Sequence, residues 1–265
     1  MDETIPVDLD DHPPLERFIG NAATCTSQTY LKMGIRLNAL LREHMSTLKI
    51  SQVCVATAMV YVHSFYSKVP VDSEHHPLVV LATCLWLACK VENVLRSVKQ
   101  MVKVFFPEEP NFEGRAKQLC RYELALCQLT DWMLNVPHPY AKLGNFFQTL
   151  EGSVRKRLQE VTGVLLNTSY ASPFYLVFGE NQSRFIGVIL RPAVHVLGTE
   201  GFQINQTEIL EKYPLDPKEL TDIEKNAIRC LREVILLTDP NYSEIADAID
   251  TVYLSDDKPE SKNCE

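Results

Sequence analysis

The residues best suited to chemistry are two dense acid–histidine groupings, Glu74-His75-His76 and the set Asp8, Asp10, Asp11 and His12. Carboxylates and imidazoles are the donors that hold a divalent metal. Each grouping stands in loop or tail sequence without a second half to complete a coordination shell, so no metal is expected at either. The eight cysteines (Cys25, Cys54, Cys84, Cys89, Cys120, Cys127, Cys230 and Cys264) form no CxxC pair. No histidine falls beside them at zinc-ligand spacing. Most sit inside apolar helical stretches, where a reduced thiol behaves as a small hydrophobe. A glycine-rich phosphate loop, a GxSxG elbow and an HExxH pair are all missing. The expectation is therefore no enzyme: no catalytic residue, no cofactor, no small-molecule substrate.

Two polar residues suit binding better than catalysis. Lys90 closes a strongly apolar stretch, and Glu123 stands among Leu124, Leu126 and Leu129. Taken by themselves they are unremarkable: a cation at a helix C-terminus, favoured by the macrodipole, and a solvated carboxylate. Their neighbourhood gives them more weight, as the resemblance below sets out.

Bulk properties narrow the partners. A length of 265 residues allows one large domain or two smaller ones, each with its own core. Apolar residues make up 46% and charged residues 23%, an ordinary globular balance. A net charge of −8 argues against direct nucleic-acid binding and against an anionic membrane. The longest apolar run, from Leu78 to Cys89, is shorter than the roughly 20 residues of a bilayer span. The acidic start, MDETIPVDLDD, lacks the basic and then apolar order of a signal peptide, so an intracellular protein is expected.

The elements that would position Lys90 and Glu123 read as helices. Tyr30, Met33, Leu37, Leu40 and Leu41 recur at three- and four-residue steps on one face. Ser51 is a suitable N-cap for the apolar stretch 51–66, and Pro77 suits the first turn of the next helix. A short helix follows near Ser97–Val104, and a long one is predicted from Gly114 to Leu134. The two prolines of Val136–Tyr140 stop it and mark a domain boundary. The second half repeats the plan at a period of about 105 residues, which indicates two duplicated five-helix domains rather than a solenoid. Its helices are expected at Tyr140–Leu150, Val154–Tyr170, Arg184–Leu197 (with Pro192 kinking or breaking it), Gln206–Lys212 and Pro217–Leu237. The chain thus divides into an N-terminal tail (1–24), a first domain (25–136), a second domain (137–240) and an acidic C-terminal tail (241–265).

Three segments resemble the cyclin box. KISQVCVATAMVYVHSFY is similar to its second helix, LATCLWLACKVEN to its third, in the family's LAxKVEE pattern, and YELALCQLTDWMLNVPHPY to its fifth helix and exit. The exit carries Glu123, then Trp132 nine residues on, then His138-Pro139-Tyr140. The resemblance is clear from about residue 28 to 140, weaker beyond, and closest to the transcription-associated cyclins (the T, K, L and Q types). It implies an all-α fold of two tandem cyclin-box domains, the first bearing a kinase-binding face. It also implies a nuclear regulatory subunit that forms a heterodimer with a cyclin-dependent kinase, one acting on the RNA polymerase II tail. On that resemblance Lys90, Val91, Glu92, Asn93, Glu123 and Trp132 are the kinase-binding residues.

The sequence departs from the family pattern in places. KVEE is Lys90-Val91-Glu92-Asn93 here, and the common HRF is His63-Ser64-Phe65. Met33-Gly34-Ile35-Arg36-Leu37 stands where MRxIL would signal a substrate-docking groove, and Ala39–Lys49 is longer than usual. The rival readings are a general transcription factor built from the same repeats to hold DNA, which needs a basic face, and a scaffold that binds protein without a kinase.

Overall fold

A computed structural model describes residues 27–255 except 72 and 151, with backbone alone at 208 and 210. The predicted N-terminal tail, with Asp8, Asp10, Asp11 and His12, lies outside the described residues, as do Cys25 and Cys264. All regular elements among the described residues are helical. They pack as two compact units, one of residues 27–137 with Tyr170–Leu176, the other of His138–Ser169 with residues 177–255.

The first unit holds α1 (Gln28–Glu43), the short α2 (Met45–Leu48), α3 (Gln52–Lys68), α4 (Pro77–Val91), α5 (Val98–Phe105) and α6 (Phe112–Leu129). Each start is chemically marked. Ser27 and Ser51 accept backbone N–H bonds at the starts of α1 and α3, and Asn111 does so for α6. Ser97 and Gln100 form a reciprocal capping box on α5. His76 caps α4 ahead of Pro77, and His75 bonds the Tyr122 hydroxyl at 2.8 Å. The Glu74-His75-His76 group thus serves helix starts and packing, and no metal-holding cluster occurs among the described residues. Cys54 to Ser67 of α3 are buried except Ser64, as are Val79 to Cys89 of α4, so these two helices form the centre of the unit. Each large apolar side chain so buried contributes about 1.5–3 kcal/mol.

A polar chain crosses this core. The Tyr30 hydroxyl donates to His63 Nδ1 at 2.5 Å, and His63 Nε2–H donates to the Tyr170 carbonyl at 3.0 Å. Beside it, Gly34 lets the Ala171 carbonyl approach so closely that a Cβ would sit 2.3 Å from its oxygen. Gly34, read as a departure from the family pattern, and His63, which matches it, thus seat the segment Tyr170–Leu176 in the first unit. Tyr175 adds a bond to the Pro137 carbonyl at 2.8 Å.

Burial pushes His63 down to about 4, against the upward pull of its bond to Tyr170, and pushes His138 down to about 4 as well. An unfolded imidazole protonates near 6.5. Between 6.5 and 4 the unfolded chain thus binds protons that the folded chain refuses. Stability is complete above pH 6.5 and falls as acid is added, by roughly 3 kcal/mol for His63 over the whole window. Urea midpoints are expected to drop from pH 7 to pH 5, and the slope is expected to flatten in His63→Asn. An equal slope in that variant would contradict the assignment.

The second unit contains α7 (Tyr140–Gln148), α8 (Gly152–Ser169), α10 (Gln182–Thr199), α11 (Gln206–Lys212), α12 (Asp222–Thr238) and α13 (Ser243–Ile249). The short α9 (Phe174–Phe178) spans the division between the units. The α10 helix runs on through Pro192 rather than breaking there. Asp250–Leu254 extends α13 as a wider π turn. The stretch 241–265, predicted as an acidic tail, is instead helical from Ser243 through Leu254. Ile245, Ala246, Ala248, Ile249 and Tyr253 are buried, and the Tyr253 hydroxyl bonds the Val188 carbonyl at 3.0 Å. Arg157 contacts Glu200 at 2.5 Å and Glu244 at 2.9 Å, tying α8 to α13 and the end of α10.

Candidate functional site

The predicted residues stand at the C-terminal ends of α4 and α6, which pack against each other. Lys90 is in the last turn of α4 and Glu123 in the third quarter of α6. Their side chains meet, Lys90 Nζ to Glu123 Oε1 at 2.5 Å. The pair is half open to solvent, the lysine 38% and the glutamate 18% exposed, so its own contribution to stability is small. The ammonium also lies 3.6 Å from the centroid of the Trp86 ring, one turn back along α4.

The helix then stops in a Schellman turn. Asn93 takes up the left-handed conformation (φ 57°), its N–H bonds the Lys90 carbonyl, and the Val94 N–H bonds the Cys89 carbonyl. This accounts for asparagine where the family pattern has glutamate, because asparagine tolerates that region better. Asn93→Gly is expected to keep parental stability, whereas Asn93→Glu loses about 1 kcal/mol, measured by urea unfolding. Glu92 accepts a 2.6 Å bond from the buried Thr57 hydroxyl, so one carboxylate oxygen is held by α3. Val91 is half-buried beside it.

Past this turn Arg96 reaches back to α2. Its guanidinium donates to the Leu48, Lys49 and Leu95 carbonyls, at 2.5, 2.7 and 2.6 Å. Its own carbonyl accepts from Trp86 Nε1 at 3.0 Å. Leu48 and Lys49, at the end of the stretch Ala39–Lys49, therefore anchor this loop.

Trp132 differs from its predicted setting. Helix α6 ends at Leu129 rather than Leu134, because Asp131 and Trp132 both adopt positive φ (52° and 59°). The Trp132 N–H bonds the Cys127 carbonyl and the Asp131 N–H bonds the Gln128 carbonyl, again a Schellman pattern. A bulky residue in this region is strained, and two side chains of α3 brace the turn. Lys68 donates to the Leu129 carbonyl, and the Tyr61 hydroxyl donates to the Leu134 carbonyl. The indole is left mostly in solvent.

Three apolar residues were missed in the sequence. Leu95, Leu124 and Met133 are each more than half exposed, as Trp132 is. The available signal was position: each lies within two residues of Asn93, Glu123 or Trp132. Among the described residues these four are the exposed large apolar side chains, and their grouping matters where a single exposed hydrophobic would carry little meaning.

A helical unit that presents a prearranged ion pair beside bare apolar side chains has the make-up of a protein-binding module. Residues 15–135 match the cyclin N-terminal domain, so this chain carries a cyclin domain over that stretch. It is similar to transcription-associated cyclins. Cyclin-C1-2 of Arabidopsis thaliana is 30% identical over 149 residues, 52% of this chain and 58% of that one. The RNA polymerase II holoenzyme cyclin-like subunit of Yarrowia lipolytica is 28% identical over 154 residues, 54% of this chain and 53% of that one. The chain thus spans little more than half the length of these relatives. A chain from the structure of the CAK complex of Chaetomium thermophilum bound to ATP-gamma-S shares the fold. Its TM-score is 0.56 at 19% identity, over 95% of this chain and 83% of that one.

Proposed function

We propose that this chain is the regulatory subunit of a cyclin-dependent kinase, and that Lys90, Val91, Glu92, Asn93, Glu123 and Trp132 form its kinase-binding face. The observation that carries the reading is the company these residues keep. The strongly exposed apolar side chains Leu95, Leu124, Trp132 and Met133 all lie in the same three short segments. Apolar anchors around a small polar centre are what a protein interface requires.

A protein kinase works only when the glutamate of its mobile αC helix pairs with the lysine of strand β3. An activator need only bind the αC-in state better than the αC-out state, and the population shifts by that difference in affinity. The two Schellman turns and the bonds of Arg96, Thr57, Tyr61 and Lys68 make this face stiff, so that it imposes a helix position without yielding. On this reading the catalytic groups, the metal ions and the nucleotide belong to the kinase. The kinase is of the transcriptional kind, acts on the RNA polymerase II tail, and is bound in the nucleus, a reading supported by the relatives' names. Residues 137–240 form the second cyclin box, and the net charge of −8 disfavours direct binding to nucleic acid.

Co-expression with a panel of cyclin-dependent kinases, followed by affinity capture, tests the proposal. Recovery of one kinase at equal stoichiometry is the expected result. Recovery of none, from a panel that pairs with other cyclins, would leave a protein-binding scaffold without a kinase.

A further inference from the structure

We propose that Trp86 is the positioning residue of this face, a single buried side chain that sets both Lys90 and the loop carrying Leu95. The inference rests on the reading of Lys90 as a partner contact, but its geometry stands without it. Trp86 and Lys90 are four residues apart on α4, so they lie on one helix face, one above the other. The indole is 8% exposed and presents its ring to the ammonium at 3.6 Å from the centroid. That is well inside the distance at which the ring quadrupole attracts a cation. The ammonium is thereby held between a π face and the Glu123 carboxylate, 2.5 Å away.

The other end of the same side chain governs the loop. A buried indole N–H needs a partner, and here it donates to the Arg96 carbonyl at 3.0 Å. The Arg96 guanidinium in turn binds the Leu48, Lys49 and Leu95 carbonyls. Phenylalanine at this place would fill most of the volume and keep a π face, but would lose the bond to the Arg96 carbonyl. Leucine would do neither. Lysine has a flexible four-carbon stem, so an ammonium already fixed in the free chain loses less freedom when a partner binds. Trp86 acts through Lys90 and Arg96 and is not itself a contact residue.

Two measurements decide this. In the full-length chain labelled with 13C-lysine, the Lys90 ε-methylene protons are expected to resonate well upfield of the other lysines, shielded by the indole ring current. The shift is expected to collapse in Trp86→Leu and to shrink in Trp86→Phe. A Lys90 resonance among the other lysines in the unaltered chain would overturn the proposal, with or without a kinase. With the captured kinase, Trp86→Leu is expected to weaken binding about tenfold and Trp86→Phe about threefold. In a Lys90→Met background, Trp86→Leu should weaken it much less than in the parent. Equal effects in both backgrounds would make Trp86 mere packing and would also overturn the proposal. If no kinase binds the parent chain, the proposed function fails while the ring-current result still decides the positioning role. Should Trp86→Leu not fold, Trp86→Phe and the unaltered chain supply both readouts.

Discussion

The Lys90→Glu chain is expected to fold as the parent does and to bind its kinase about a hundredfold or more weakly. Removing one charge from a desolvated, hydrogen-bonded interfacial pair costs on the order of 2–5 kcal/mol, and reversal adds two repulsions. The new carboxylate would face Glu123, which now lies 2.5 Å from the ammonium. It would also sit over the negative face of Trp86 in place of a cation. The fold should survive because Lys90 is 38% exposed in the free chain and can turn into water. Titration calorimetry with the purified kinase reads the affinity, and circular dichroism with thermal unfolding reads the fold. Near-parental affinity in a folded variant would remove Lys90 from the interface.

Gly34→Ala is expected to be the most damaging small substitution in the described chain. The added Cβ would meet the Ala171 carbonyl oxygen at 2.3 Å and its carbon at 3.4 Å, and a backbone cannot swing aside as a side-chain tip can. Either α1 or the segment from Tyr170 must shift, which also pulls the Tyr170 carbonyl from His63. Overpacking of this kind costs about 1–3 kcal/mol, a fall in Tm of roughly 3–10 °C for a chain of this size. Gly163→Ala, inside α8, is the control. Nothing lies within 4 Å of its Cβ, so replacing a mid-helix glycine there should gain about 0.5–1 kcal/mol. Scanning calorimetry on both variants checks the pair. Equal Tm values would mean that α1 and Ala171 are not in close contact.

These two sites show where the sequence was legible and where it was not. Helices α3 and α4 could be read directly, because their apolar runs are bounded by Ser51 and Pro77 at the start and by Lys68-Val69-Pro70 and Lys90 at the end. The identity of Lys90 and Glu123 as a pair could not be. They are 33 residues apart, and only the packing of α4 on α6 joins them. Trp86 read as one more residue of an apolar run, since neither its N–H partner nor its cation is visible in spacing. The end of α6 was placed five residues late because the turn at Asp131-Trp132 uses no glycine or proline, the residues that normally announce a left-handed stop. The helix from Ser243 was hidden by its acidic composition, although Ile245, Ile249 and Tyr253 keep helical spacing. Gly34 stood out only as a departure from a pattern, and His63 only as a match to one. Their use depends on Tyr170 and Ala171, more than a hundred residues away.

The most direct test of the central claim is a kinase assay on an RNA polymerase II tail peptide, with the captured kinase alone, with this chain, and with its Lys90→Glu variant. The account predicts phosphorylation only with the unaltered chain, at a rate that saturates as the chain reaches equal stoichiometry with the kinase. Equal rates with and without the chain, or full activity with the variant, would contradict it.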